Sequence, residues 1–198
     1  MNGQSIWDAN KKQDFPTIED IFRARELLNR TTVRKTPLQR SNTFSKLTGT
    51  NIFLKLESLQ RTGSFKVRGA SVKISMLSKE QRRYGVIAAS AGNHAQGVAY
   101  AASRNNISCT IIMPQNASPA KVAATKAYGA RVVLRGIGYD ECWIEAQEIA
   151  KKEGRTIIHA FDDSHVISGQ GTIGLELLED LPELDQVYLP IGGGGLAA

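Results

Sequence analysis

Lys66 is the residue of this chain best placed to do chemistry. It lies in Arg61-Thr62-Gly63-Ser64-Phe65-Lys66-Val67-Arg68-Gly69, between an aromatic ring and an apolar helical pattern through Val67, Ala70 and Ile74. An amine among apolar groups has its pKa lowered from about 10.4, because burial disfavours the charged form, and becomes available as a Schiff-base nucleophile. Most lysines are solvated surface charges, so the neighbouring chemistry has to decide.

Two further stretches offer what an amine alone lacks. Ser90-Ala91-Gly92-Asn93-His94 directly follows the apolar run Val86–Ala89 and opens an alanine-rich helical pattern that continues to Arg104. Ligands of parallel α/β sheets bind beyond the carboxyl ends of strands, and helix N-termini attract carboxylates and phosphates. Ser90 can donate to an anion, Gly92 allows close backbone approach, and Asn93 offers a donor and an acceptor. The competing reading is an ordinary N-cap by Ser90 or Asn93, and His94 taken alone reads as a hydrogen-bonded structural histidine. Gly192-Gly193-Gly194-Gly195 follows the apolar run Gln186–Ile191. Four successive glycines can curl their N–H groups inward as an anion cradle, the alternative being a flexible tail.

Gly169-Gln170-Gly171-Thr172-Ile173-Gly174 has the spacing of a dinucleotide fingerprint, but Asp162-Asp163-Ser164-His165 before it is polar rather than strand-like. Helix initiation with close backbone packing explains it better. An amine, a polar anion-binding helix start and a glycine cradle are together what pyridoxal phosphate needs, for its aldehyde, for its ring and the substrate carboxylate, and for its phosphate. The chain has no HExxH, metal-type Cys/His spacing, Walker lysine or Gly-x-Ser-x-Gly elbow.

Alternating strands and helices must position these groups. Strand patterns run over Ile52–Leu56, Val86–Ala89, Cys109–Met113, Arg131–Leu134, Thr156–Ala160 and Gln186–Ile191. Helical patterns lie between them at Lys66–Leu77, Asn93–Arg104, Pro119–Tyr128, Tyr139–Lys152 and Thr172–Leu181. Upstream, Thr17 caps a helix through Ile18, Ile21, Phe22 and Leu28, Thr36-Pro37 breaks the pattern, and Asn42 to Leu47 forms a short helix closed by Gly49. Strands separated by such helices predict an α/β protein with a parallel sheet covered on both faces. A glycine-rich turn after a strand normally opens a helix, yet only three residues follow Gly195. The expectation is a portion of something longer.

Composition narrows the classes. The 198 residues are 41% hydrophobic and 22% charged, an ordinary globular balance. The net charge of +6 is scattered and interleaved with acids, the longest basic runs being pairs such as Arg82-Arg83, which argues against a nucleic-acid partner. Met1 to Asp14 lacks the apolar core of a signal peptide, and no run of 18 apolar residues exists, so no membrane partner is expected. Cys109 and Cys142 read as buried free thiols, which fits a reducing, cytoplasmic compartment.

Taken in order, Lys55-Leu56-Glu57, Gln60 through Ala70, Ser90 through Gly97, Gly169-Gln170-Gly171-Thr172 and Pro190 through Leu196 resemble threonine dehydratase, the threonine ammonia-lyase of the fold-type II pyridoxal-phosphate enzymes. The match covers the chain after its leader. The resemblance implies that Lys66 forms the Schiff base, Phe65 lies along the pyridine ring, and Asn93 bonds the 3-hydroxyl oxygen. It implies further that Gly192, Gly193, Gly194, Gly195 and Leu196 hold the phosphate, and that Ser90, Ala91, Gly92, Asn93 and His94 receive the substrate carboxylate. L-threonine would lose its α-proton to Lys66 and then its β-hydroxyl, giving 2-oxobutanoate and ammonia, with L-serine a second substrate.

Related serine racemases carry a second serine where this chain has Ala91, so the alanine favours elimination over racemisation. The resemblance also implies a tryptophan-synthase-β-like fold of two open, mostly parallel sheets. Residues 1–59 and 156–198 would belong to an incomplete large domain, and residues 60–155 to a small mobile one. It implies a homodimer or homotetramer, no metal site within this chain, and a nucleotide-activator site to which Arg61 and Tyr128 could contribute.

Overall fold

In the computed structural model, which describes residues 15–31 and 33–198, the first half of the chain runs α1 (Ile18–Asn29), β1 (Leu38–Arg40), α2 (Asn42–Thr48), β2 (Phe53–Lys55), a 3-10 turn (Glu57–Leu59), α3 (Lys66–Ser75) and α4 (Lys79–Tyr84). It continues β3 (Val86–Ala89), α5 (Asn93–Arg104), β4 (Cys109–Met113), α6 (Pro119–Ala127), β5 (Arg131–Leu134), α7 (Tyr139–Glu153), β6 (Thr156–Ile157) and α8 (Ser164–Asp180). The leader Met1 to Asp14 lies outside the described residues.

Four strands form a parallel sheet in the order β5-β4-β3-β6. The central strands β3 and β4 are buried at every position, which explains why their sequences are unbroken apolar runs rather than alternations. Their side chains still divide by parity. Val86, Ala88, Ile111 and Met113 pack against Ala70, Ile74, Val98 and Ala102 from α3 and α5, while Ile87, Ala89 and Ile112 pack against Cys142, Ala146 and Ala150 of α7. Cys109 and Cys142 are free and buried within these layers.

Three strand expectations need correction. The Ile52–Leu56 run does not enter the parallel sheet; its core, β2, pairs antiparallel with β1, a strand the pattern did not show. Gln186–Ile191 is not a strand: no partner strand lies beside it among the described residues, and Val187, Tyr188 and Ile191 are 51%, 84% and 73% exposed. An apolar pattern without a partner has no ladder to join. The expected strand Thr156–Ala160 pairs only through Ile157, because the carbonyls beyond it are committed elsewhere, as described below.

The helix expected at Thr172–Leu181 begins at Ser164, where the Asp163 carboxylate accepts from the amides of His165 and Val166. The Gly169–Gly174 fingerprint therefore sits inside α8, so it does not initiate that helix. Its first glycine is a crossing point: a Cβ at Gly169 would lie 2.5 Å from the Gly69 Cα, so α3 and α8 touch backbone to backbone.

That contact is reinforced by buried charge. Arg68 is 1% exposed and pairs bidentately with two carboxylates, Glu57 (2.7 and 2.9 Å) and Glu176 (2.6 and 3.0 Å). Lys55 Nζ reaches Glu176 at 2.6 Å and the Thr36 carbonyl at 2.7 Å. Two cations thus meet two anions, which is what makes their burial tolerable. Because Arg68 lies two residues after Lys66 on α3, this network sets how the first turn of α3 is presented.

Two outcomes follow from this packing. Gly169→Val should destabilise the protein by about 1–3 kcal/mol or more by overpacking, whereas Gly174→Ala, on the same helix with open space around it, should be neutral or stabilising; urea unfolding of both variants checks the contrast. Glu176→Ala should cost about 1.5–3 kcal/mol, because it removes one of the two carboxylates that meet buried Arg68 and the 2.6 Å partner of Lys55 while Glu57 remains, read as a loss of melting temperature.

Candidate active site

The strand order reverses at β3: β4 and β5 extend to one side of it, and β6 returns on the other. The crevice beyond the carboxyl ends of β3 and β6 is therefore the topological switch point, the expected ligand position in an open parallel sheet. Two loops open there, Ser90–Gly92 after β3 and Ile158–Phe161 after β6.

The second loop brings the three sequence features together. The Ile158 amide still reaches the Ile87 carbonyl at 2.9 Å, the last contact with the ladder. Beyond it, the Ile158 carbonyl takes a 2.9 Å bond from His94 Nε2, and the Ala160 carbonyl accepts from Lys66 Nζ at 2.8 Å. Phe161 supports the glycine run: a Cβ at Gly193 would come within 2.4 Å of the Phe161 ring, and one at Gly195 within 2.5 Å of the Phe161 carbonyl oxygen. Amine, helix start and glycine run are thus fastened to four consecutive residues.

Lys66 is the first residue of α3, with its Nζ 5.2 Å from the centroid of the Phe65 ring. Half-buried and without a carboxylate partner among the described residues, its amine is pushed below the usual lysine pKa by desolvation. Helix α5 comes close enough that a Cβ at Gly97 would lie 3.1 Å from Lys66 C and Val67 N. Asn93, one helical turn earlier, shares the face that meets α3 and is exposed.

The start of α5 is not closed by Ser90 or Asn93. Its N-cap is Gly92, with no side-chain cap, and the Ser90 hydroxyl accepts the Gly92 amide at 3.3 Å instead. The first-turn amides of α5 stay open to an anion. In the glycine run, no protein acceptor among the described residues takes the amides of Gly192 to Leu196. Gly194, at φ +85°, turns that loop through a region that side chains other than glycine rarely adopt.

His94 is buried, and since the Ile158 carbonyl can only accept, Nε2 carries its proton. Its Nδ1 is buried without a hydrogen-bond partner among the described residues. Burial pushes the His94 pKa down to about 4, helped by the positive charges of Lys66 and His159 and opposed by the Ile158 bond. His159 is likewise lowered by burial, with Asp162 and Asp163 opposing.

Of the expected site residues, Lys66, His94, Gly193 and Gly195 meet the loop after β6, Ser90 to Gly92 form the loop after β3, and the Asn93 side chain makes no hydrogen bond among the described residues. The sequence reading missed Ile158, Ala160 and Phe161. Two of them act through backbone carbonyls, which have no residue signature; the aromatic pair His159 and Phe161 at the end of the expected strand Thr156–Ala160 was the available signal. A desolvated amine, a ring beside it and a row of free glycine amides fit the aldehyde, ring and phosphate of pyridoxal phosphate.

Comparison with known proteins agrees with that donor set. The chain is 52% identical over 180 residues to the L-threonine ammonia-lyase of Thermotoga maritima, an alignment covering 91% of this chain and 45% of that protein. It is 53% identical over 167 residues to the catabolic L-threonine dehydratase of Staphylococcus aureus, covering 84% and 48%. It spans about half the length of these curated relatives. Among solved structures it resembles maize serine racemase (TM-score 0.88, 37% identity, 92% of this chain and 55% of that one) and a threonine deaminase from Solanum lycopersicum (TM-score 0.83, 40%, 92% and 51%). The profile described as pyridoxal-phosphate dependent enzyme matches residues 30–198, and the chain belongs to that family.

Proposed function

We propose that this chain carries the cofactor-binding and proton-transfer machinery of an L-threonine ammonia-lyase. The observation that carries the reading is the Lys66 amine, desolvated and held on the Ala160 carbonyl beside the residue that supports the glycine run. The names of the two curated relatives supply the substrate.

In this reading Lys66 holds the cofactor aldehyde, Phe65 flanks the ring, Asn93 meets the 3-hydroxyl oxygen, and the amides of Gly192 to Leu196 bind the phosphate. Ser90 to His94, with the open end of α5, receive the substrate carboxylate. Pyridoxal phosphate, when bound, supplies the electron sink for the pair left at the substrate α-carbon. Once the substrate amine has displaced it from the aldehyde, the freed Lys66 Nζ would take the α-proton, the β-hydroxyl would leave as water with that proton, and hydrolysis of the dehydrated product would give 2-oxobutanoate and ammonia. Ala91 has no group to carry a proton on the opposite face, which favours elimination over racemisation; L-serine is a second substrate. Residues 60–155 form the mobile domain in this reading, and the protein works in the cytoplasm as a homo-oligomer.

Borohydride reduction in the presence of pyridoxal phosphate should label the peptide containing Lys66, and Lys66→Ala should lower 2-oxobutanoate release by about 10³-fold or more. A label on another lysine, or D-serine formation outrunning oxoacid release, would sink the reading. The neutral His94 makes a second prediction. Its folded pKa of about 4 lies below the ordinary 6.5, so the unfolded chain binds the proton first. The resulting stability is fully present above about pH 6.5 and is lost as pH falls toward about 4, by up to ~3 kcal/mol. Urea midpoints at pH 7 and pH 5 should differ less in His94→Asn than in the parent.

A further inference from the structure

We propose that His159 is the positioning residue that sets the glycine run against Lys66, a reading that rests on the run holding the cofactor phosphate. His159 leaves β6 at the point where the chain turns out of the sheet. Its Nδ1 accepts two backbone amides, Asp162 at 2.8 Å and Phe161 at 3.3 Å. One imidazole nitrogen therefore clamps the turn that aims the Ala160 carbonyl at Lys66 and lays Phe161 under Gly193 and Gly195.

The ring itself is wedged between aromatic neighbours. It meets Trp143 of α7 edge-on at 4.9 Å and Phe161 edge-on at 4.7 Å, and Trp143 stacks on Tyr139 at 6.4 Å. Trp143 packs with the α7 side of the sheet core. A continuous row thus runs from α7 through His159 to the floor of the glycine run. There is no slack at its end, since neither Gly193 nor Gly195 could take even a Cβ without meeting Phe161. A tilt of Phe161 must move the loop.

The acceptor role requires an uncharged imidazole with its proton on Nε2. Desolvation favours that form and the charge of Lys66 adds to it, against the pull of Asp162 and Asp163. A merely space-filling histidine would need the ring but not the nitrogen, and this separates the two roles experimentally.

The test compares His159→Asn, whose side-chain oxygen can take the same two amides as an Asx turn, with His159→Phe, which keeps the ring contacts and loses the acceptor. In each, amide exchange at Phe161 and Asp162 is measured by NMR, together with the dissociation constants of pyridoxal phosphate and of pyridoxal. His159→Phe should speed exchange at both amides and weaken pyridoxal phosphate by about tenfold or more, with pyridoxal changed less than about twofold; His159→Asn should stay near the parent in all three. Unchanged exchange and affinity in His159→Phe overturns the proposal. Equal damage in both variants, or equal loss for pyridoxal and pyridoxal phosphate, overturns it too. If the parent itself binds pyridoxal as tightly as pyridoxal phosphate, the phosphate role of the glycine run fails and this role with it. The exchange data then say whether the His159 clamp exists.

Discussion

The candidate site depends on two backbone carbonyls that have no strand to pair with. Once Ile157 has made its last register contact, Ile158 and Ala160 present C=O groups in a protected crevice, and such groups must find donors. The donors they find are His94 and Lys66. A short edge strand is often only the end of a sheet. Here its early termination is what draws two helices, α3 and α5, onto the same four residues.

The interior treats its basic groups in two ways. Arg68 and Lys55 are met by Glu57 and Glu176, a set of paired charges that ties α3 to α8 and to the 3-10 turn. Lys66, His94 and His159 are instead half or fully buried and meet carbonyls, amides and rings, so desolvation shifts all three toward neutrality. The first arrangement holds geometry. The second biases a nucleophile and its neighbours toward the uncharged form, the form in which an amine can attack an aldehyde.

The likeness to both a threonine deaminase and a serine racemase has a physical basis in this arrangement. The switch point at β3 and β6, the amine on the Ala160 carbonyl and the open end of α5 can serve any reaction that begins by removing an α-proton. In the proposed reading, what separates the outcomes is which side chain can carry a proton on the far face, where this chain would have Ala91, on the loop between β3 and α5. The architecture is shared, and the choice of reaction falls to a few side chains.

Local pattern carried much of this molecule. The unbroken apolar runs of β3 and β4, the helices α5, α6 and α7, the amine at Lys66, the loop Ser90 to His94 and the glycine run are all legible within short windows, because periodicity and turn chemistry act between near neighbours. Other features were not legible. Gln186–Ile191 has the apolar character of a strand and no partner strand among the described residues, and the Gly169 fingerprint sits within a helix capped at Asp163, its first glycine required by the approach of Gly69. Nothing in the local pattern marks Arg68 as buried; Glu57 and Glu176 make it so from other elements. The bond that best supports the function joins residues 94 positions apart. The sequence by itself determined which groups could do chemistry. Only the tertiary structure decided that they meet, because a backbone carbonyl has the same composition everywhere in the chain, and its use depends on which donor the fold brings to it.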